Sequence, residues 1–416
     1  MVQPSASVVV VSQGREALLA RCLKALSQQQ KVAMEVVVVT SDSAIQHLTE
    51  LGWAERVKLV RMNEENIAVA RNRGICAAAG EIVAFIDDDA VPEPAWLYLL
   101  LQAFEQPEIA AATGFTLGRN GISYQWKAET IDASGISHAL GVPDDQISVF
   151  QSSAKRAIKL IGTNMAFRRS VLVEMNGFDP RYRFYLDDSD LSMRLALAGR
   201  RVAIVPMARV HHAYAESGRR SGTRVPKTLY EIGASQAVFV GLYCHPTDIL
   251  NSEQIFRKTQ RTRLLRHMQS GAIGPEEVGF LTVTMNDGLS DGKSRRATTR
   301  TIPEKPESAF RALTESLICE VFHLSCRFFE RKLVAQQAID AASANKIAIV
   351  IELSPTALYH RFRYDDAGYW IQSGGIWGRS LRSQPLFTVC SFSARVRAEI
   401  RRISDEFWLD ATDAGT

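Results

Sequence analysis

The sequence predicts an α/β fold: a mostly parallel sheet flanked by helices, followed by a largely helical C-terminal region. Two features near the N-terminus carry this expectation. Strand-like apolar runs alternate with segments of helical spacing, the order that builds a parallel sheet through crossover connections. The runs are continuously apolar instead of alternating with polar residues, so both faces of the sheet are covered.

Residues 7–11 form a valine-rich run and read as a first buried strand. Residues 16–26 follow as a helix, with Leu18, Leu19, Cys22, Leu23 and Leu26 on one face. Residues 35–39 read as a second strand and residues 57–60 as a short third. Residues 66–79 read as a helix closed by Gly80 just past its C-cap, and residues 82–86 as a fourth strand. Ligands of such sheets sit outside the carboxyl ends of the strands. The residues at those ends are Ser12 and Gln13, then residues 40–42, then Asp87, Asp88 and Asp89.

The pattern changes after about residue 216. Residues 217–224 are polar and basic and read as a mobile loop, and residues 229–243 and 255–268 read as helices. Residues 286–306 are rich in turn-forming and polar types and read as a loop or linker. Residues 309–342 read as one long amphipathic helix, with Leu313, Leu317, Val321, Leu324 and Phe328 on one side. Residues 346–353 are strand-like, within a small strand-containing element near 346–390. The expected organisation is one unit over residues 1–218 and a second, mainly helical unit over residues 219–416.

A chain of 416 residues is longer than one ordinary core. With 46% apolar and 23% charged residues it is globular, not disordered. A net charge of +4 does not direct it to nucleic acid. Cys22, Cys76, Cys244, Cys319, Cys326 and Cys390 have neither zinc-site nor redox spacing, so they read as buried free thiols of a reducing compartment. The first residues lack a basic stretch followed by an apolar core, and no apolar run approaches the ~20 residues that span a bilayer. The expected location is therefore cytoplasmic. Two basic segments, with Arg257, Lys258, Arg261, Arg263 and Arg266 and then Arg395, Arg397, Arg401 and Arg402, offer peripheral contact with an anionic inner membrane face. A solvated helix face accounts for them equally well.

Residues 82–89 put three carboxylates in a row where an apolar strand ends. In an extended chain Asp87 and Asp89 point one way and Asp88 the other. Clustered carboxylates repel, and a hard divalent cation such as Mg²⁺ or Mn²⁺, shared with substrate phosphates, relieves this. Alone, the triplet also fits a solvated acidic turn.

Upstream residues extend the triplet into a longer pattern: Ala70-Arg71-Asn72, then Gly80-Glu81, the apolar strand, and Asp87-x-Asp89. This pattern resembles the family 2 glycosyltransferases of the GT-A fold. The resemblance implies that Asp89 coordinates the metal on the donor pyrophosphate. Asp87 and Asp88 would contact the ribose or support the metal, and Arg71 would help hold the nucleotide.

A second cluster, Asp187, Asp188 and Asp190, opens a helix on which Leu191, Leu195 and Ala198 share a face, and the helix dipole favours negative charge there. A single aspartate suffices for capping. The resemblance extends here, with Asp187 in a position usually held by Glu. It implies that Asp188 is the catalytic base, that Asp187 contacts the donor, and that Asp190 is structural. It also sets Gly162, Thr163 and Asn164 beside the donor sugar, and makes His212 of the Pro-x-Ala-x-Val-x-His pattern a metal or pyrophosphate ligand, with His211 pointing elsewhere. The match spans roughly residues 5–214. Two segments depart from the family. Val11 to Gly14 replaces Pro-Thr-Tyr-Asn, leaving Ser12 as the donor-side residue, and Thr40 to Ser43 replaces Asp-Asp-Gly-Ser, leaving Asp42 to meet the base.

The implied activity is inverting transfer from a nucleoside-diphosphate sugar to a hydroxyl of a glycan, lipid-linked or protein acceptor, in polysaccharide or glycoconjugate synthesis. Two alternatives stay open: a nucleotide-sugar-binding regulator without turnover, and another metal-dependent nucleotide enzyme such as a nucleotidyltransferase.

Overall fold

The computed structural model describes residues 3–153, 155–213, 215–298, 301–313 and 320–409. Its first half runs β1 (Ala6–Ser12), α1 (Glu16–Ser27), β2 (Met34–Thr40), α2 (Asp42–Glu50), β3 (Lys58–Arg61), α3 (Ile67–Ala77), β4 (Ile82–Asp87), β5 (Ala90–Pro92), α4 (Trp96–Gln102) and β6 (Ile109–Leu117). It continues through β7 (Tyr124–Trp126), β8 (Glu129–Asp132), β9 (Ser137–Ala139), β10 (Ser148–Gln151), β11 (Arg156–Ile158), β12 (Asn164–Arg168), α5 (Arg169–Glu174), α6 (Asp187–Leu197) and β13 (Arg201–His212). Three helices follow, α7 (Tyr230–Tyr243), α8 (Ile249–Gln269) and α9 (Pro275–Ser294), and then β14 (Val321–Arg327), α10 (Arg331–Ser343), β15 (Ile347–Ser354), β16 (Arg361–Tyr364), β17 (Trp370–Gly375) and α11 (Phe392–Glu406).

The main sheet has the order β10-β13-β6-β12-β4-β1-β2-β3. β1 is parallel to β2 and β4, β2 to β3, and β6 to β13. β12 runs antiparallel between β4 and β6, so those two share the common direction. Valine alternation assigns the layers. Val8 and Val10 join the core under α1 and α4, while Val9 joins Ala68, Ile75 and Leu191 beneath α3 and α6. Both faces are buried, as continuous apolar strands require.

Three local expectations change, and one helix is added. α2 has a buried face of only Ala44 and Leu48, too thin to register as helical periodicity. Gly80 is not a helix terminator in the left-handed region; a Cβ there would lie 2.6 Å from the Ser7 backbone nitrogen, so it is a close-approach glycine between α3 and β1. α9 continues to Ser294, through residues whose glycines suggested a loop. Those glycines let helices touch: a Cβ on Gly288 would sit 1.9 Å from the Tyr230 carbonyl oxygen, and one on Gly292 2.2 Å from that of Ala234. Within the expected long helix, residues 321–327 are instead the strand β14, parallel to β15. The spacing of Val321, Leu324 and Phe328 imitates a helix, but backbone pairing to β15 decides. Leu317 and Cys319 lie outside the described residues.

The second half is helical at first and ends in a four-stranded sheet, β14-β15-β17-β16, covered by α10 and α11. That sheet docks on the first half. Ala25 and Val91 enter its core, and the Phe362 N–H donates to the Asn120 carbonyl at 2.9 Å. Residues 301–313 return across the first half as a strap, carrying Ile302 and Leu313 into its two cores. The strap helps satisfy Glu35, buried in β2, which accepts from Ser7 Oγ (2.6 Å), the Ala79 N–H (2.6 Å) and the Arg311 N–H (2.9 Å) and pairs with Lys58 at 2.8 Å. The described cysteines are free. No helix of the described residues is long and apolar enough to cross a membrane.

Candidate active site

β4 ends at Asp87 and β5 begins at Ala90, with Asp88 and Asp89 between them. β5 pairs antiparallel with the end of β13 in the register His212 to Ala90, which lays His212 over the triplet. His212 Nε2 is 3.1 Å from Asp89 Oδ1 and 4.0 Å from Asp87 Oδ2. Ligand atoms of Asp87, Asp89 and His212 all lie within 4.8 Å of one another. Burial alone would raise the Asp89 carboxyl. His212, Arg15 and the Ala215 N–H (2.8 Å) outweigh it and hold Asp89 below the usual carboxylate range.

β7 supports the histidine from behind. Gln125 Oε1 lies 3.0 Å from His212 Nδ1, and Trp126 stacks on the imidazole at 5.7 Å between ring centroids. With Nδ1 held by the amide, Nε2 is the ring nitrogen turned towards the two carboxylates. Such a donor set fits a divalent cation, with the amide orienting the ring. His211 faces the other way, 3.0 Å from Glu93 Oε1 in the interface with the C-terminal sheet.

Asp88, in the turn between β4 and β5, points away from the cleft. Arg15 donates to it from Nε at 3.0 Å and lies 3.5 Å from Asp89. Burial pushes the Asp88 carboxyl up to about 7 against the pull of Arg15. Asp88 therefore braces Arg15 and is not placed to meet a ribose.

The second acidic cluster opens α6 after two residues in the left-handed region, Tyr185 (φ 73°) and Leu186 (φ 64°). Non-glycine residues rarely adopt this conformation, and it costs of order 1–3 kcal/mol each. The distortion turns Asp187 and Asp188 into the cleft. Asp188 Oδ2 accepts the Gly162 N–H at 2.9 Å, and Oδ1 accepts the Ser189 N–H at 2.6 Å. Asp190 lies beneath, bonded to Tyr243 Oη at 2.7 Å and Arg194 Nε at 2.9 Å.

Arg71, buried on α3, joins the two clusters. One terminal nitrogen bonds the Asp187 carboxylate; the other donates to the Gly162 carbonyl at 3.1 Å and lies 3.7 Å from Asp87 Oδ1. Burial pushes the Asp187 carboxyl up to about 6, with Arg71 pulling it down and Asp188 adding to the rise. Thr163 Oγ1 donates to Asp87 Oδ2 at 2.6 Å.

Arg71, Asp87, Asp89, Gly162, Thr163, Asp187, Asp188 and His212 thus line one cleft of about 720 Å³, within the usual range for small-molecule sites. Besides Asp88, three expected donor residues are elsewhere. Ser12 is buried below the cleft against Asp88. Asp42 sits exposed at the start of α2, paired with Arg61 at 2.5 Å. Asn164 is a brace, with Nδ2 donating to the carbonyls of Phe115 (2.9 Å) and Ala208 (2.8 Å) and Oδ1 accepting from Trp96 Nε1 at 2.8 Å.

The cleft also contains residues that sequence reasoning passed over: Arg15, Trp126, Lys159, Arg219 and Arg220. Arg15 lies just past the β1 strand end, and Arg219 and Arg220 in the basic loop, so strand-end position and local charge could have marked them. Trp126 and its neighbour Gln125 carry no local signal, because the β6–β7 pairing alone brings them to His212.

The match to known proteins falls on this region. A model of "Glycosyltransferase like family 2" matches residues 4–225. A glucosyl-dolichyl phosphate glucuronosyltransferase of Haloferax volcanii is 26% identical over 203 residues, 47% of this chain and 63% of the relative. A pre-mycofactocin glycosyltransferase of Mycobacterium tuberculosis is 31% identical over 150 residues, 35% of this chain and 29% of the relative. The chain thus spans less than two thirds of either relative's length. Among solved structures, a mannosyltransferase of Pyrobaculum calidifontis in complex with GDP-Man and Mn²⁺ aligns with TM-score 0.42 and 17% identity, over 70% of this chain and 88% of that one. With more than half of its length matched and both acidic motifs in one cleft, the chain belongs to the glycosyltransferase family 2-like proteins.

Proposed function

We propose that this protein transfers a glycosyl group from a nucleoside-diphosphate sugar to an acceptor hydroxyl, with inversion, in the cleft between the β4 turn and the start of α6. The observation that carries this reading is Arg71, which ties Asp87 of one acidic motif to Asp187 of the other. Phosphate-side and acceptor-side carboxylates so joined suit a single displacement at one carbon.

In this reading Asp188 accepts the acceptor's proton through a carboxylate oxygen. The acceptor oxygen bonds to the anomeric carbon as the bond from that carbon to the phosphate oxygen breaks, and the nucleoside diphosphate departs with that electron pair. Asp87, Asp89 and His212 would hold a divalent cation, which when bound neutralises charge on the diphosphate. The mixed set of two carboxylates and one imidazole favours Mn²⁺ over Mg²⁺, which keeps to oxygen ligands. Arg15, Arg219 and Arg220 add positive charge around the diphosphate. Residues 1–218 form the transfer unit and residues 219–416 its support. The relative named as a glucosyl-dolichyl phosphate glucuronosyltransferase supports an acceptor of the polysaccharide or glycoconjugate class.

The test is a panel of nucleoside-diphosphate sugars with Mn²⁺ or Mg²⁺, scored by release of the nucleoside diphosphate and by the anomeric configuration of the product. Retained configuration would exclude the single displacement. Donor binding without release across a broad acceptor panel would favour a binding protein.

A further inference from the structure

Most of the exposed apolar side chains of a soluble protein are scattered. In the C-terminal sheet they are not. Three short segments beyond the strand ends lie side by side. The Trp377 N–H donates to the Thr356 carbonyl at 3.1 Å, the Thr388 N–H to the Trp377 carbonyl at 2.9 Å, and Gly378 bridges Phe387. The close passage is built in, because a Cβ on Gly378 would lie 1.9 Å from the Leu358 carbonyl oxygen. On this small platform Leu358, Tyr359, Trp377, Leu386, Phe387 and Val389 are all exposed, from 37% for Trp377 to 83% for Val389. A contiguous apolar surface of this kind marks an interaction site.

Its charge narrows the partner. From Trp370 to Ala398 the sequence has four arginines and no aspartate or glutamate, and Leu353 to Tyr364 also lacks acids. Arg379 stacks on Tyr359 at 4.4 Å, and Arg382 donates to Ser123 Oγ at 3.0 Å, so both stand at the edge of the apolar platform. Aromatic and aliphatic tips rimmed by arginine are the composition that enters the headgroup region of an anionic bilayer. We propose that the face formed by residues 356–360, 376–382 and 385–389 seats this protein on an anionic lipid surface. This face differs from the basic helices first suggested by the sequence. In α11, Arg395 and Arg402 are turned inward onto Glu399 at 2.9 Å each. The platform borders the β6–β7 hairpin through Arg382 and Ser123, which sets the lipid one hairpin away from the cleft.

The experiment uses the full chain without donor or turnover, so its outcome is separate from that of the proposed transfer. Sedimentation is compared for vesicles of phosphatidylcholine alone and vesicles that also contain phosphatidylglycerol. Binding is expected only with phosphatidylglycerol and should weaken with salt. Arg379→Gln and Arg382→Gln should each weaken it about fivefold. Leu386→Ser, Phe387→Ser and Val389→Ser combined should reduce it at least about tenfold. Circular dichroism shows whether each variant is folded. A brominated lipid should quench wild-type fluorescence, and Trp377→Phe, which keeps an aromatic ring on the platform, should lose most of that quenching while still binding. The proposal is overturned by absence of binding to either vesicle, by binding that the arginine variants and the triple variant leave unaltered, by lipid quenching that Trp377→Phe leaves unaltered, or by a wild-type dimer that the triple variant makes monomeric, which would assign the face to a second copy of the chain.

Discussion

Arg71 and Asp187 form a buried ion pair across the floor of the cleft, although 116 positions separate them in sequence. The guanidinium faces Asp87 of the first motif and Asp187 and Asp188 of the second, so it is the shared counter-charge of both. Removing it leaves buried carboxylates uncompensated, which costs about 3–5 kcal/mol. Arg71→Met should lower unfolding stability by about that amount, measured by urea titration. Arg71→Lys should recover only part, because an ammonium lacks the fork that reaches both Asp187 and the Gly162 carbonyl.

Asp188 and Asp190 should separate cleanly by variant. Asp188→Asn keeps size and fold but removes the proton acceptor, so transfer should fall about 10²–10⁴-fold while donor affinity by calorimetry changes little. Asp190→Asn should act on stability, through its bonds to Tyr243 and Arg194. Normal transfer by Asp188→Asn would move the base elsewhere.

The cation site should be detectable in binding alone. Asp89→Ala should abolish the Mn²⁺-dependent part of donor affinity, and His212→Ala should weaken it. Gln125→Leu should weaken Mn²⁺ binding about 10–100-fold, the usual effect of removing an outer partner of a ligating histidine. Full transfer in excess chelator would remove the cation from the mechanism.

Acid should loosen the C-terminal sheet first. Burial lowers the His360 pKa; its Nε2–H donates to the Gly375 carbonyl at 2.8 Å and Nδ1 accepts from Gln372 at 2.6 Å. An unfolded histidine takes its proton near about 6.5, so stability should fall as pH drops below that value towards the lower folded one. Glu399 adds a second loss. Burial alone would raise it, but Arg402, Gln372, Ser380 and Arg395 hold it lower. Its contribution is present above an unfolded value of about 4.3 and is lost as pH falls through the folded one. Near-ultraviolet dichroism should show the two losses, with His360→Gln removing the first and Glu399→Gln the second.

The parallel sheet and the acidic strand end were legible because strong local patterns specify them: valine runs buried on both faces and three carboxylates after one strand. The second acidic cluster was legible from its place at a helix start. Glycines misled where their purpose was contact between elements, as at Gly80, Gly288 and Gly292, since sequence shows a missing side chain but not the neighbour that requires its absence. Asn164 reads as a donor residue through the family resemblance, and its bracing role is hidden because its partners Trp96, Phe115 and Ala208 come from three other elements. Arg15 and Gln125 belong to the same class, polar residues whose partners are chosen by topology.

The strap over residues 301–313 bears on the order in which the protein can mature. On a ribosome Ser7, Lys58 and Ala79 emerge early and can gather around Glu35, but Arg311, whose N–H meets the same carboxylate, emerges far later. Arg169 likewise waits for the carbonyls of Pro303 and Glu304. The nascent first half therefore stays open along that flank, and translation itself schedules its closure after the three helices α7, α8 and α9 have been made.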